Sequence, residues 1–398
     1  MTERIPNSEH QNLNHFISDS PWDGFGVMDT LSEQQSERFS GFSSPKGLLF
    51  DESGWEKSGK KSVGVARQYI GQVGKVCNGQ VGVFAALSCG TKVGLLQGRL
   101  YLPHEWVDDE ERCLQAGIPK KEIFYRSKPE LAIEIHKNLP SSVTYDWVGG
   151  DSIYGSSPGL RYHLEDTKTC FVMDIAEDFG LFLQNPQPFI PEKQGKKGRT
   201  PVRYHSDSAK VLPKDLLKEV EETAWQTITH RQGTKGNLTR KAVIFDVFVW
   251  TPERKDRVEI LQLIISTEPD GSEVKYSLGY DPNGKMPLND GLCRQMQRYW
   301  VERAFQNVKE QLGMQQYQVR SWKAWYHHIA LSLLAMDFIL SIQIENEDQM
   351  PLLSCADVKL IFARTLLNKL NSQEGLLLAI QNRHKVRQND IRLKLFLT

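Results

Sequence analysis

Gly47-Leu-Leu-Phe-Asp51 is an apolar run that ends in a carboxylate and gives way to the charged, turn-forming stretch 52–61. It reads as a strand with an acid at its tip. Residues 62–69 and 76–87, rich in valine and small side chains and separated by 71–75, read as a hairpin that follows it. In 128–139 the apolar residues Leu131, Ile135 and Leu139 recur every four positions, which gives a helix one buried face. Pro129 occupies a first-turn position that tolerates it. Residues 142–148 are strand-like again and run into Gly149-Gly150-Asp151, so a second acid stands at a strand tip, and 152–157 then has to turn. A short helix over 160–166 and a fifth strand over 170–175 complete this half.

From about 180 to 286 the character changes. Pro186, Pro188 and Pro191 precede a Lys/Gly-rich loop at 193–199, and strands are expected at 242–250 and 258–266. This stretch looks inserted. Beyond it, 288–314 reads as one long helix, with further helices over 322–344 and 358–370. No internal repeat interrupts the pattern. The order of three strands, a helix, an acid-tipped strand, a strand, an insertion and a helix is that of an α/β protein with a mixed sheet covered by helices, and an RNase H-like core fits it. The expected divisions are a short N-terminal region 1–45, a core in two parts (46–180 and 287–345), a β-rich insertion 181–286, and a helical, basic C-terminal region 346–398.

At 398 residues the chain is long enough for about two or three domains and needs no disulfide or metal staple. The first fourteen residues lack a basic cluster followed by an apolar run, so no signal peptide is expected and the cytosol is the expected compartment. The most apolar stretch, 329–344, is shorter than the ~20 residues of a membrane span and carries Asp337. It reads as a buried helix. Cys77, Cys89, Cys113, Cys170, Cys293 and Cys355 form no Cys-x-x-Cys pair, which argues against a disulfide framework and a zinc knuckle.

Formal charge sums to zero, 49 cationic against 49 anionic residues, but it is unevenly placed. Residues 1–56 hold three Lys/Arg and ten Asp/Glu, 193–241 hold twelve against five, and 358–398 hold eight against two. Basic stretches of this kind can hold a polyphosphate backbone, and an acidic N-terminal part can hold metal; each can equally be a solvated face.

Within the long helix, Arg298, Glu302 and Lys309 are separated by four and seven residues, rotations of about 400° and 700° that leave all three in one narrow sector. One face therefore presents plus, minus, plus. A surface ion-pair ladder would look the same; the chemical reading is a metal-ligating glutamate between phosphate clamps. Asp51, Asp151 and Glu302, from different elements, could together hold two hard cations ~4 Å apart for an in-line phosphoryl transfer. Glu52, Asp146 and Glu56 remain alternatives at this level.

The segments around Asp51, around Gly149-Gly-Asp151-Ser-Ile-Tyr154-Gly155, and from Arg298-Tyr-Trp-Val-Glu302 to Lys309-Glu-Gln-Leu-Gly313 resemble the DDE-type insertion-sequence transposases. The likeness is to the insertion-sequence 701 family, related to the insertion-sequence 4 group. Residues 225–238, with Arg231-Gln-Gly-Thr234, and Arg320-Ser-Trp-Lys-Ala-Trp-Tyr-His-His328 are similar to further stretches of that family. The resemblance implies that Asp51, Asp151 and Glu302 are the catalytic metal ligands, with two Mg²⁺ ions or Mn²⁺ in their place. It also implies that Arg298 and Lys309 contact transposon-end phosphates; at the group's signature tyrosine this chain has Gln295, which is not carried over. Trp225 lies where relatives place an aromatic that stacks on a displaced base, although a core tryptophan reads the same way; Arg231 is a further DNA contact. Relatives carry a longer helical region ahead of the first aspartate, so 1–45 reads as a remnant of a DNA-binding domain.

The expectation is thus a bacterial, nucleoid-associated enzyme that cleaves strands at inverted-repeat ends and transfers them to target DNA. It would work as a homodimer assembled on DNA, away from membranes. The alternatives are a catalytically silent DNA-binding remnant acting as a repressor, and a structure-selective RNase H-like nuclease. His327-His328 is read as a core or interface pair, because adjacent helical residues point about 100° apart. Gly195-Lys-Lys-Gly198 lacks P-loop spacing and reads as a basic loop or linker. The lysines of 57–61 either face a phosphate or form a solvated turn.

Overall fold

The computed structural model describes residues 10–365 apart from 72, 194–198, 234–235 and 317, together with positions 381, 385 and 388. Helices α1 (His10–Ser18) and α2 (Gly24–Ser40) lead into β1 (Lys46–Glu56), β2 (Ala66–Ile70), β3 (Lys75–Cys89) and β4 (Lys92–Leu100). Short helices α3 (His104–Val107) and α4 (Glu110–Gln115) precede α5 (Lys128–Asn138), β5 (Trp147–Gly150), α6 (Ser152–Gly155), α7 (Pro158–Asp166) and β6 (Phe171–Asp174). Then come α8 (Pro213–Glu219), β7 (Gln226–Gly233), β8 (Gly236–Val249), β9 (Glu259–Thr267) and β10 (Val274–Tyr280). The chain continues through α9 (Leu288–Gln297), α10 (Tyr299–Glu310), α11 (Trp322–Glu345) and α12 (Cys355–Thr365).

β4-β3-β1-β5-β6 forms the heart of the sheet, antiparallel from β4 to β1 and parallel from β1 through β5 to β6. This is the RNase H-like order expected from the sequence. β10, β9, β8 and β7 follow in turn from β6, each antiparallel to its neighbour. The strands of the β-rich stretch 181–286 therefore continue the same sheet, ten strands wide among the described residues.

Alternation along β1 sorts its side chains onto two cores. Leu49 joins Met28 and Leu31 of α2, Phe305 of α10 and Trp325 of α11. Leu48 and Phe50 join Leu131 and Ile135 of α5 and Leu160 of α7. Each large side chain contributes about 1.5–3 kcal/mol by burial, and a one-residue slip would expose both sets at once. The same alternation sends Asp51 toward the α10 side and its neighbour Glu52 toward α5, so register decides which acid meets which helix.

Several local expectations change. β1 does not stop at Asp51 but runs to Glu56, because β3 pairs with it all the way from Lys46↔Cys89 to Glu56↔Gly79. The strand expected over 142–148 is confined to β5; Thr144 N instead donates to Ser36 Oγ at 2.9 Å, and Asp146 accepts from Lys46 N at 2.7 Å. β4 is an element the sequence reading lacked. The long helix over 288–314 is two helices meeting at Arg298, whose backbone stays helical at φ −55° and ψ −31°. α5 forms as expected, with Ser127 and Glu130 closing a capping box. The loop 195–198, Thr234 and the helix beyond residue 365 fall outside the described residues.

α11 alone among the described helices is long and apolar enough to cross a membrane. It packs on α2 and β4 as the buried helix expected. His327 sits in that packing, its two ring nitrogens 2.9 Å and 2.8 Å from the carbonyls of Ile17 and Trp22. All six cysteines are free thiols, five of them buried.

Candidate active site

Strand register builds the site. The β1–β5 ladder ends at Phe50↔Gly150, and the β5–β6 ladder at Gly150↔Met173. The next residue in each case is an aspartate: Asp51, Asp151 and Asp174 stand side by side just past the ends of the two parallel ladders, β1 alone continuing beyond in its pairing with β3. Such strands lie about 4.8 Å apart, close enough for neighbouring carboxylates to share a ligand. Local chemistry then fixes each one. Asp51 Oδ1 accepts the Glu52 amide at 2.8 Å. Asp151 caps α6, accepting from Ile153 N at 2.9 Å. Gly155 ends that helical turn against β6: a Cβ there would lie 1.9 Å from the Asp174 carbonyl oxygen, so only glycine allows the approach.

Asp51, Glu52 and Asp151 each offer a carboxylate oxygen within 4.8 Å of the others. Burial, then the charges of Asp151 and Glu52, push the Asp51 carboxyl up to about 8 against the opposing pull of Arg298. Burial and Glu52 raise Asp151 as well. Tyr154, fully buried beneath the three acids, is pushed well above the ordinary phenol range, chiefly by burial. These are the signs of anionic groups crowded together in a poorly solvated place, where a divalent cation would relieve both burdens.

Of the residues singled out in the sequence, Asp51 and Asp151 meet directly. Glu302 lines the same cavity of about 650 Å³, together with Asp174 and Arg298. Its carboxylate is held by Arg298 Nη1 at 3.1 Å, and its side chain is 55% exposed. Arg298 also donates from Nε to Asp174 at 2.8 Å. Burial works against its charge, but Asp174, Asp51, Glu302 and Asp151 outweigh that and raise its pKa. Lys309 is buried, with Nζ 3.2 Å from the Gly54 carbonyl; burial lowers it to about 8 while Asp51 holds it up. Arg231 reaches from β7 to lie 5.1 Å from the rings of both Tyr299 and Trp300. Trp225 is half-buried against the α5-side core.

Four participants, Asp174, Glu52, Lys128 and Tyr154, were not among the expected site residues. Asp174 receives Ser277 Oγ at 2.6 Å as well as Arg298, so both its oxygens are engaged within the protein. A strand ending in Asp was its only signal, identical in kind to the other two. Glu52, weighed only as an alternative, is bound by Lys128 of α5 at 2.8 Å and by the Tyr154 hydroxyl at 3.3 Å. Nothing in the spacing of Lys128 or Tyr154 marks them as its partners, since 76 and 102 residues separate each from Glu52.

The family model for the DDE superfamily endonuclease matches residues 1–237, a span that includes Asp51 and Asp151 and stops short of Glu302. The probable transposase for insertion sequence element IS701 of Microchaete diplosiphon is 38% identical over 149 residues, which cover 37% of this chain and 35% of that protein. The match thus spans about a third of the relative's length.

Proposed function

Because the chain belongs to the DDE superfamily of endonucleases, we propose that it is the transposase of an insertion-sequence element. It cuts a DNA strand at the element's inverted-repeat ends and joins the freed 3′ hydroxyl to target DNA. The observation that carries this reading is the adjacency of Asp51 and Asp151 on neighbouring parallel strands, in a cavity that Glu302 also lines. The name of the IS701 relative points the same way.

Asp51, Asp151 and Glu302 are the catalytic, metal-holding carboxylates of this reading. Asp51 and Asp151, with Glu52 beside them, suit a hard divalent cation, being carboxylates crowded enough to repel one another without one, and Glu302 lines the same cavity. Held by these carboxylates, two Mg²⁺ ions, with Mn²⁺ as a substitute, would supply the Lewis acidity for activating a water or 3′ hydroxyl and stabilising the leaving oxygen. The protein's own part is positioning. Asp174 and Glu302 orient Arg298, whose planar cation suits a phosphate of the transposon end. Lys309 is the second phosphate contact, and to reach DNA its Nζ has to leave the Gly54 carbonyl. Arg231 of β7 and Trp225, just ahead of that strand, extend the contact surface. Synapsis of two ends calls for a homodimer assembled on DNA, and the place of work is the nucleoid in the bacterial cytoplasm.

The experiment is nicking and strand transfer on duplexes carrying the element's flanking inverted repeats, with Mn²⁺ present. Wild type should give both products, and Asp151→Asn neither. Undiminished activity in Asp151→Asn removes the centre. Cleavage without joining favours a structure-selective nuclease, and metal-independent binding without cleavage favours a repressor.

A further inference from the structure

Past Asp51, β1 continues for five residues and then enters a basic loop. Lys57, Lys60 and Lys61 of this loop form one wall of a concavity of about 610 Å³, and Gln315, Gln318 and Arg320 form the other. Four cations line it against a single carboxylate, Glu56. The loop is held in shape by its backbone. Asn78 Nδ2 donates to the carbonyls of Lys57 and Gly59, Arg112 Nη2 donates to the Lys60 carbonyl at 3.0 Å, and Val63 N donates to the Arg320 carbonyl at 2.9 Å. Lys60, Lys61 and Arg320 are exposed, so the anchoring uses main-chain atoms while these side chains stay at the surface.

Both walls are continuous with the candidate active site. One is the end of the strand that carries Asp51; the other is the connection between α10, with Glu302 and Lys309, and α11. Beside the basic concavity, a second hollow that includes Gly54, Trp55 and Ile70 shares Glu56, Gln315 and Gln318 with it. Six residues of extended chain separate Asp51 from Lys57, about 20 Å. DNA places a phosphate every 3.4 Å along each strand, so this is about six base pairs, half a helical turn. A duplex whose scissile phosphate enters the acidic cavity turns the cut strand away over that distance and presents the backbone of the complementary strand, across the major groove, to the basic concavity.

We infer that the concavity formed by Lys57, Lys60, Lys61 and Arg320 grips the sugar-phosphate backbone of the same duplex whose strand is cut, about half a turn from the cut. The contact is with phosphate and carries no base sequence. Burial pushes Lys57 down to about 8, and a phosphate beside it would hold it charged. This inference rests on the DNA-cleaving reading above and adds to it a location and a direction for the flanking DNA.

The test compares wild type with Lys60→Gln/Lys61→Gln/Arg320→Gln in salt titrations of binding to fluorescein-labelled DNA duplexes. Each phosphate contact removed lowers the slope of log K against log salt by about 0.9, so the triple variant should lose about 2 to 3 units of slope and bind about 10- to 100-fold more weakly near 0.15 M salt. The loss should appear with a duplex of about 30 base pairs and vanish with one of about 8 centred on the cut, which is too short to reach the concavity. Lys60→Arg/Lys61→Arg should keep the wild-type slope, which separates lost charge from lost fold. Wild-type binding with an unchanged slope in the triple variant overturns this inference alone, as does an equal loss on the short duplex. Failure of wild type to bind any duplex overturns the nuclease reading and this one with it.

Discussion

Replacing Asp51 with asparagine should stabilise the metal-free protein, and the gain should depend on pH. Asp51 titrates at about 8 in the fold against 3.8 for the ordinary group, because it is buried and faces Asp151 and Glu52. A carboxyl raised in this way favours folding only while it is protonated. As pH climbs above about 4 the unfolded chain ionises freely and the folded chain does not, so stability is lost progressively until pH passes 8. The loss is at most about 5 kcal/mol at pH 8, and about 1 kcal/mol at pH 4.5. Asparagine keeps the oxygen that accepts the Glu52 amide, never ionises, and relieves Asp151 of a neighbour. With an unfolding entropy of about 0.8 kcal/mol/K for a chain of this length, the gain at pH 8 is about 6 °C in Tm. The assay is thermal denaturation in EDTA at pH 8 and pH 4.5, repeated at pH 8 with Mg²⁺ or Mn²⁺. Metal should raise wild type toward or past the variant, since binding to the native state alone stabilises it by mass action. A variant no more stable than wild type at pH 8, or one with the same advantage at both pH values, refutes the reasoning.

Three more outcomes follow from the same geometry. Arg161 and Glu259 are 0% and 1% exposed and joined by two hydrogen bonds of 2.7 and 2.9 Å; Glu259→Gln leaves a buried guanidinium half-paired and should cost about 3–5 kcal/mol in urea unfolding. A loss under about 1 kcal/mol would show that water reaches the pair. Gly155→Ala places a methyl where the Asp174 carbonyl oxygen stands, so it should lower Tm and abolish Mn²⁺-supported nicking, whereas normal nicking would mean that α6 can move without displacing Asp151. Because Asp51 holds the pKa of Lys309 up, Asp51→Asn should lower it below about 8 in a titration of ¹³C-labelled lysines, and an unchanged value would separate the two groups.

The parts of the fold legible in the sequence are those where one local rule acts without competition. α5 has its four-residue apolar period, its proline at the first turn and its Ser127/Glu130 capping box all agreeing. β1 shows as an apolar run because both its faces are buried. Residues 142–146 misled for the opposite reason. Val143, Thr144 and Tyr145 have strand propensity, but tertiary bonds from Ser36 and Lys46 hold that backbone in a connection. β4 went unread although Gly90, with φ +59°, turns the chain straight back onto β3 and Val93 to Leu96 are apolar.

By spacing, Arg298, Glu302 and Lys309 share one angular sector, yet sector is not depth. The first turn of the helix opens on the acidic cavity, whereas Lys309 in its last turn meets β1 at Gly54. Glu302 is exposed in consequence, and Lys309 is buried at Gly54. The aspartates followed another logic. Asp51, Asp151 and Asp174 are unrelated along the chain, at separations of 100 and 23 residues, and become neighbours only through the parallel registers of β1, β5 and β6. Among three acids in equivalent positions, hydrogen bonding divides the work. Asp174 is saturated by Ser277 and Arg298 and so acts as a support. Asp51 accepts the Glu52 amide and Asp151 the amides of the turn it caps, and under the proposed function their remaining lone pairs would take a cation. That division depends on Ser277 and Arg298, which arrive from β10 and the α9–α10 junction more than a hundred residues later, and for that reason no reading of the strands alone could have told the saturated acid from the proposed ligands.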